Sequence, residues 1–195
     1  MRIITGSSKG IKLFTLEGDN TRPTSERAKE ALFSMLQFDI DGRRVLDLFA
    51  GSGQLGLEAI SRGAEFCMFT DSSAEAVGIV RKNIEKTKFS DKTKTQIVDY
   101  RNFLRKSEGR DGFDIIFLDP PYASDALVDA LKRLCDTKLM HKGCLVVCES
   151  ENGDMRIFEK APELAEMYTS VKRKNYGRVH IEILTPSDAY FAKED

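Results

Sequence analysis

A chain of 195 residues suits one domain with at most a small appendage, and it can bury enough surface to need no disulfide or metal staple. A formal net charge of −1 excludes nucleic-acid binding by bulk charge, and no segment approaches the roughly 20 apolar residues of a membrane span. Cys67, Cys135, Cys144 and Cys148 form no C-x-x-C pair, and only His141 and His180 could add imidazole, so reduced core thiols and no metal site are expected.

Residues 1–20 read as a short β-hairpin extension, with Ile3-Ile4 and Ile11 to Phe14 flanking the polar turn Gly6 to Gly10. Residues 21–195 read as the main domain. Thr24 or Ser25 can cap a helix that carries Ala28, Ala31, Leu32, Met35 and Leu36 on one face. From Arg43 onward strands and helices alternate. Strands are expected at 45–49, 66–71, 95–99, 113–118 and 144–148, with helices at 55–62, 73–87 and 124–135. Such alternation predicts a parallel α/β sheet covered on both faces. Residues 167–174 and 179–184 alternate apolar and polar around Asn175-Tyr176-Gly177, which predicts an antiparallel hairpin closing the sheet. Met1 to Gly6 lacks the apolar run of a signal peptide, so a cytoplasmic protein is expected.

The strongest local feature is Asp47-Leu48-Phe49-Ala50-Gly51-Ser52-Gly53-Gln54-Leu55-Gly56, between the first strand and the next helix. Gly51 and Gly53 let the backbone turn tightly against a ligand, and the helix N-terminus offers N–H groups to an anion. These glycines also fit a dinucleotide fingerprint, with Asp71 about 20 residues on, so they do not alone distinguish a nicotinamide cofactor from S-adenosylmethionine. Asp47 favours the latter, since a carboxylate repels a pyrophosphate and can receive an ammonium. Its alternative is a carboxylate that caps the turn. Asp71 can accept hydrogen bonds from a ribose diol. Asp99 can accept from an adenine amine, with a helix cap as its rival, and Tyr100 can pack on the ring. Phe49 completes the expected cofactor set.

Asp119-Pro120-Pro121-Tyr122 follows the apolar fourth strand. The prolines stiffen the chain and remove two N–H donors, leaving carbonyls free for a ligand. The Asp119 carboxylate and the Pro120 carbonyl can accept the two N–H bonds of an aromatic amine, which localises its lone pair, while Tyr122 stacks on the base. These four residues are the expected catalytic set.

The sequence resembles the RsmD family of bacterial methyltransferases that modify a guanine N2 in 16S ribosomal RNA. The likeness runs from Met1 to Gly6 and Arg22-Pro23-Thr24, through Asp47 to Gly53 and Leu57 to Ala64, to Asp119–Tyr122 and Tyr176-Gly177. It implies a Rossmann-like class I fold with a seven-stranded, mostly parallel sheet, the added N-terminal hairpin, S-adenosylmethionine as cofactor, and 16S rRNA in a small ribosomal subunit or assembly intermediate as partner. Asp71 stands where members often carry Glu, and Gln54 replaces a small residue. The motif itself does not separate guanine from adenine, or RNA from DNA.

Cations crowd two segments, and Arg22, Thr24, Arg27, Lys174 and Tyr176 are the expected nucleic-acid contacts. The target base must be unpaired or flipped out. The run Lys86, Lys88, Lys92 and Lys94 reads as a solvated helix end and loop. A monomer is expected.

Overall fold

The computed structural model describes residues 1–16, 23–106, 111–121, 125–151 and 157–192. Seven strands form a mixed α/β sheet in the order β3-β2-β1-β4-β5-β7-β6, and the chain makes two compact units, Met1–Tyr100 and Arg101–Asp195.

The first unit opens with the hairpin. Arg2 bridges Lys12 in antiparallel fashion, and the Ile3 and Leu13 N–H groups donate to the Ile11 and Met1 carbonyls. Helix α1 spans Pro23–Met35, so Thr24 and Ser25 lie inside it rather than capping it. Proline suits the first helical turn, where its missing N–H would have had no partner. Strands β1 (Arg44–Asp47), β2 (Phe66–Asp71) and β3 (Thr93–Ile97) are parallel, with Asp47 opposite Phe69 and Asp71 opposite Ile97. Their carboxyl ends therefore share one edge of the sheet. Helix α2 (Gln54–Ser61) follows β1, α3 (Ala74–Thr87) follows β2, and α4 (Tyr100–Arg105) follows β3. Ser73 caps α3 by accepting the Ala76 N–H at 3.2 Å. Val45, Leu46, Phe69, Val77 and Val80 fill the core between sheet and helices.

The hairpin is bound to this unit by its main chain. Glu58 of α2 accepts the Ile4 and Thr5 N–H groups at 2.8 and 3.0 Å. Ser61 accepts the Ser8 N–H at its hydroxyl and the Ser7 N–H at its carbonyl, and it donates to the Thr5 carbonyl. Gly6 is required at that contact, because a Cβ there would meet the Ser61 carbonyl oxygen at 1.7 Å, and its φ is +89°.

In the second unit, β4 (Phe113–Leu118) runs parallel to β5 (Met140–Glu151), and β7 (Val179–Pro186) is antiparallel to both β5 and β6 (Tyr168–Tyr176). Helix α5 spans Ala126–Leu134, and three short helices, α6 (Ile157–Lys160), α7 (Leu164–Met167) and α8 (Asp188–Phe191), complete the unit. Buried Tyr168 and Tyr190 each place a hydroxyl on a backbone carbonyl, of Leu131 and Thr137 respectively, so their polar ends are satisfied. The β6–β7 turn is Gly177-Arg178, and β6 runs two residues past its expected end at Lys174, since Tyr176 still pairs with Val179. Gly177 supplies the positive φ, 61°, that a two-residue hairpin demands. Among the described residues no helix is long and apolar enough to cross a membrane.

Candidate active site

The glycine loop is tied on three sides. The Gly51 N–H donates to Asp71 Oδ2 at 2.9 Å, the Gly56 N–H to Asp47 Oδ2 at 3.0 Å, and the Gly53 N–H to the Ala50 carbonyl. Gly53 enters α2 from the left-handed region at φ 77°. Gly51, at φ 51°, has open space where a Cβ would stand, so a ligand can approach the main chain there. Gly56 serves packing instead, since an added Cβ would lie 2.3 Å from Phe69 Cε1 and 2.6 Å from Cys67 Sγ. It brings α2 close onto β2.

Asp47 is buried and braces the loop through Gly56. Asp71 is half-buried at the end of β2, and its second oxygen accepts the Ser73 N–H at 2.8 Å. A carboxylate offers about four acceptor positions, so two lone pairs stay available to a diol after both N–H bonds. Asp99 immediately precedes α4, and Tyr100 begins that helix. The Tyr100 ring is buried against half-buried Phe49, with centroids 5.0 Å apart.

Three residues in this unit add to the set read from the sequence. Gln54 Oε1 is buried without a hydrogen-bond partner among the described residues. Ile97, at the end of β3, is an apolar side chain 48% exposed. Buried Asn83 of α3 donates to the Ser52 carbonyl at 2.9 Å and to the Phe14 carbonyl at 3.0 Å, and accepts the Phe14 N–H at 2.8 Å. It joins the loop to the hairpin segment. Burial and long-range contact reveal these roles, and the residue types alone carry no such signal.

In the second unit, β4 delivers Asp119-Pro120-Pro121 at its carboxyl end. Asp119 is half-buried, Pro120 buried and Pro121 exposed. Tyr122 lies outside the described residues. Leu118 pairs with Cys148, Glu149 with Ile181, Ser150 with His180, and Tyr176 with Val179. This register sets the β6–β7 turn at the same end of the sheet as Asp119. Three strand spacings separate β4 from β6, about 14 Å. Exposed Lys174 and half-buried Tyr176 stand at that end, and Asn175 Oδ1 lies 2.7 Å from His180 Nδ1. Arg27 is exposed on α1 in the first unit; Arg22 and the Thr24 side chain lie outside the described residues. Among the described residues no group of three or more His, Cys, Asp and Glu side chains is placed to hold a metal ion.

Residues 1–185 match the family described as Conserved hypothetical protein 95. The chain belongs to this family, which is the RsmD family. It is 33% identical over 181 residues to the ribosomal RNA small subunit methyltransferase D of Haemophilus influenzae, covering 92% of this chain and 90% of that one. The protein of that name from Escherichia coli K12 is 31% identical over 151 residues, covering 77% and 75%. The solved structure of yhhF from Escherichia coli superposes with a TM-score of 0.81 at 28% identity, over 96% of this chain and 98% of that one. The Rossmann-like methyltransferase fold is shared.

Proposed function

We propose that this chain transfers a methyl group from S-adenosylmethionine to the exocyclic N2 amine of a guanine in 16S ribosomal RNA. The observation that carries the reading is the Asp119-Pro120-Pro121 segment at the carboxyl end of β4, in a chain whose relatives are named as small-subunit ribosomal RNA methyltransferases. The division into a hairpin extension over residues 1–20 and a methyltransferase domain over 21–195 belongs to the same reading.

The first unit fits the cofactor. Open space before Gly51 admits it to the main chain, and the spare lone pairs of Asp71 suit a ribose diol. The orphan Gln54 Oε1 is an acceptor suited to an ammonium, beside a loop already braced by Asp47. Ile97 and Phe49 offer apolar surface to an adenine, with Tyr100 behind Phe49 and Asp99 beside it. Bound there, the cofactor supplies a methyl group already activated by its sulfonium.

The remaining chemistry belongs to the second unit. An aromatic amine is a weak nucleophile because its lone pair is shared with the ring. Asp119 and the Pro120 carbonyl accept its two N–H bonds and draw the lone pair back onto nitrogen, while Tyr122 holds the plane of the base. The nitrogen would gain the methyl group as the methyl's bond to the sulfonium sulfur breaks, which leaves the cofactor as a thioether, and would then lose a proton to water, so Asp119 need not be a strong base. Arg22, Thr24, Arg27, Lys174 and Tyr176 contact the RNA around the target. The protein acts as a monomer in the cytoplasm, on a small subunit or its assembly intermediate.

The test is transfer from methyl-labelled S-adenosylmethionine to small-subunit RNA and small subunits from cells lacking this protein, followed by digestion to nucleosides. Label in N2-methylguanosine is expected. Label in N6-methyladenosine would keep the mechanism and change the base. Measurable cofactor binding with no label in RNA or DNA would remove the substrate assignment.

A further inference from the structure

Helix α3 ends with the Phe89 N–H donating to the Ile84 carbonyl and the Lys88 N–H donating to the Glu85 carbonyl, both at 3.1 Å. This closure needs a left-handed residue just past the helix, and Lys88 adopts φ 61°, ψ 38°. Glycine fits that position best, because a Cβ there crowds the main chain. Among the described residues Lys88 is the only non-glycine with positive φ. A side chain kept in a strained conformation points to a use outside the fold.

Its surroundings indicate that use. The Ser8 hydroxyl donates to the Thr87 carbonyl at 3.4 Å, which sets the hairpin turn against the end of α3. Lys9 and Lys88 thus flank a hydrogen-bonded pair. The Lys86 ammonium lies 4.4 Å above the Phe14 ring, and Asn83 holds the Phe14 backbone. Lys9, Lys12, Lys82, Lys86 and Lys88 are all exposed, with Glu85 and Asp91 the acids on the same stretch of α3 and its exit. Lys86 and Lys88, from the run read as solvated in the sequence, are therefore part of a composite basic surface, which the hairpin completes.

We propose that this surface, with Lys88 at its centre, binds the phosphate backbone of the RNA. The inference rests on the RNA substrate reading above. It adds a contact area in the first unit to the cations of β6 and its turn. The rival explanation, in which Lys88 only complements the helix dipole, makes the opposite prediction for stability when lysine is replaced by glycine.

The experiment uses the full chain, with wild type, Lys88→Gly and Lys88→Arg. Thermal unfolding and cofactor affinity are measured beside binding to deproteinised small-subunit RNA and to small ribosomal subunits over a salt series. Lys88→Gly is expected to raise Tm by about 2–4 °C. It should weaken RNA binding several-fold and reduce the salt slope by about one, with cofactor affinity unchanged. Lys88→Arg should keep wild-type RNA affinity without the gain in Tm. A lower Tm for Lys88→Gly, or wild-type affinity and slope, overturns the proposal while leaving the RNA reading intact. A wild-type chain that binds neither RNA nor subunits, but does bind polyglutamate, overturns both and assigns the surface to an acidic protein.

Discussion

The Lys29 ammonium stands 3.0 Å from the Glu58 carboxylate, with the two side chains 2% and 0% exposed. Burial pulls the lysine pKa down, and the carboxylate opposes that shift. Glu58 also holds Arg62 and two hairpin N–H groups, and Lys29 donates to the Arg2 carbonyl at 2.7 Å. Removing one member of a buried pair strands the other charge, which commonly costs about 3–5 kcal/mol. Glu58→Gln is expected to lose stability of that order in urea unfolding, and Lys29→Met added to it should recover part of the loss. A single variant with wild-type stability would show that the pair is not closed to water.

Asn83 joins the hairpin to the glycine loop, so Asn83→Ala should affect both. Each buried backbone group left unsatisfied costs about 1–3 kcal/mol. A reduced Tm is expected together with weaker S-adenosylmethionine binding by calorimetry, because Ser52 loses its brace. A lower Tm with unchanged cofactor affinity would confine Asn83 to holding the hairpin.

Asp119 and Asp71 should separate by function. Asp119→Ala is expected to lower methyl transfer by roughly 10²–10³ with cofactor affinity nearly intact, as for the loss of one positioned hydrogen-bonding group. Asp71→Ala removes the Gly51 and Ser73 tethers as well as the proposed ribose acceptor, so it should weaken cofactor binding. Near-wild-type turnover of the first variant would mean that the amine site is elsewhere.

Burial pushes the Cys67 and Cys148 thiols well above their usual range, and the neighbouring Asp47 and Glu182 carboxylates push each further. Since the thiolate is the reactive form, both should resist iodoacetamide at pH 8 in the folded protein and react in denaturant. Peptide mass analysis checks this, and rapid labelling of either in the native state would contradict the packing around it.

Element order was legible wherever apolar runs were long, as at Phe66–Asp71 and Phe113–Leu118, which have the expected limits. Strand β3 begins two residues before its expected start, because this edge strand is only partly buried and lacks an apolar run. The short helices α4, α6, α7 and α8 span four to six residues, too few for a helical period to register. Strand β5 is longer than its apolar centre, since Met140 already pairs with Phe113 across a register shift. At the candidate site the glycine loop and the proline motif were readable because their chemistry lies within consecutive residues. Gln54, Asn83 and Ile97 were not, because their significance depends on what distant segments cover or leave open.

The hairpin is gripped mainly through its peptide groups, by Lys29, Glu58, Ser61 and Asn83 on the helices beneath it. Apart from Gly6, the docking therefore asks little of the hairpin's exposed side chains. The outward face can change during evolution without loosening the attachment, so a relative can acquire a different recognition surface on an unaltered catalytic body. The same property makes the segment a place for transplanting foreign turns of equal length.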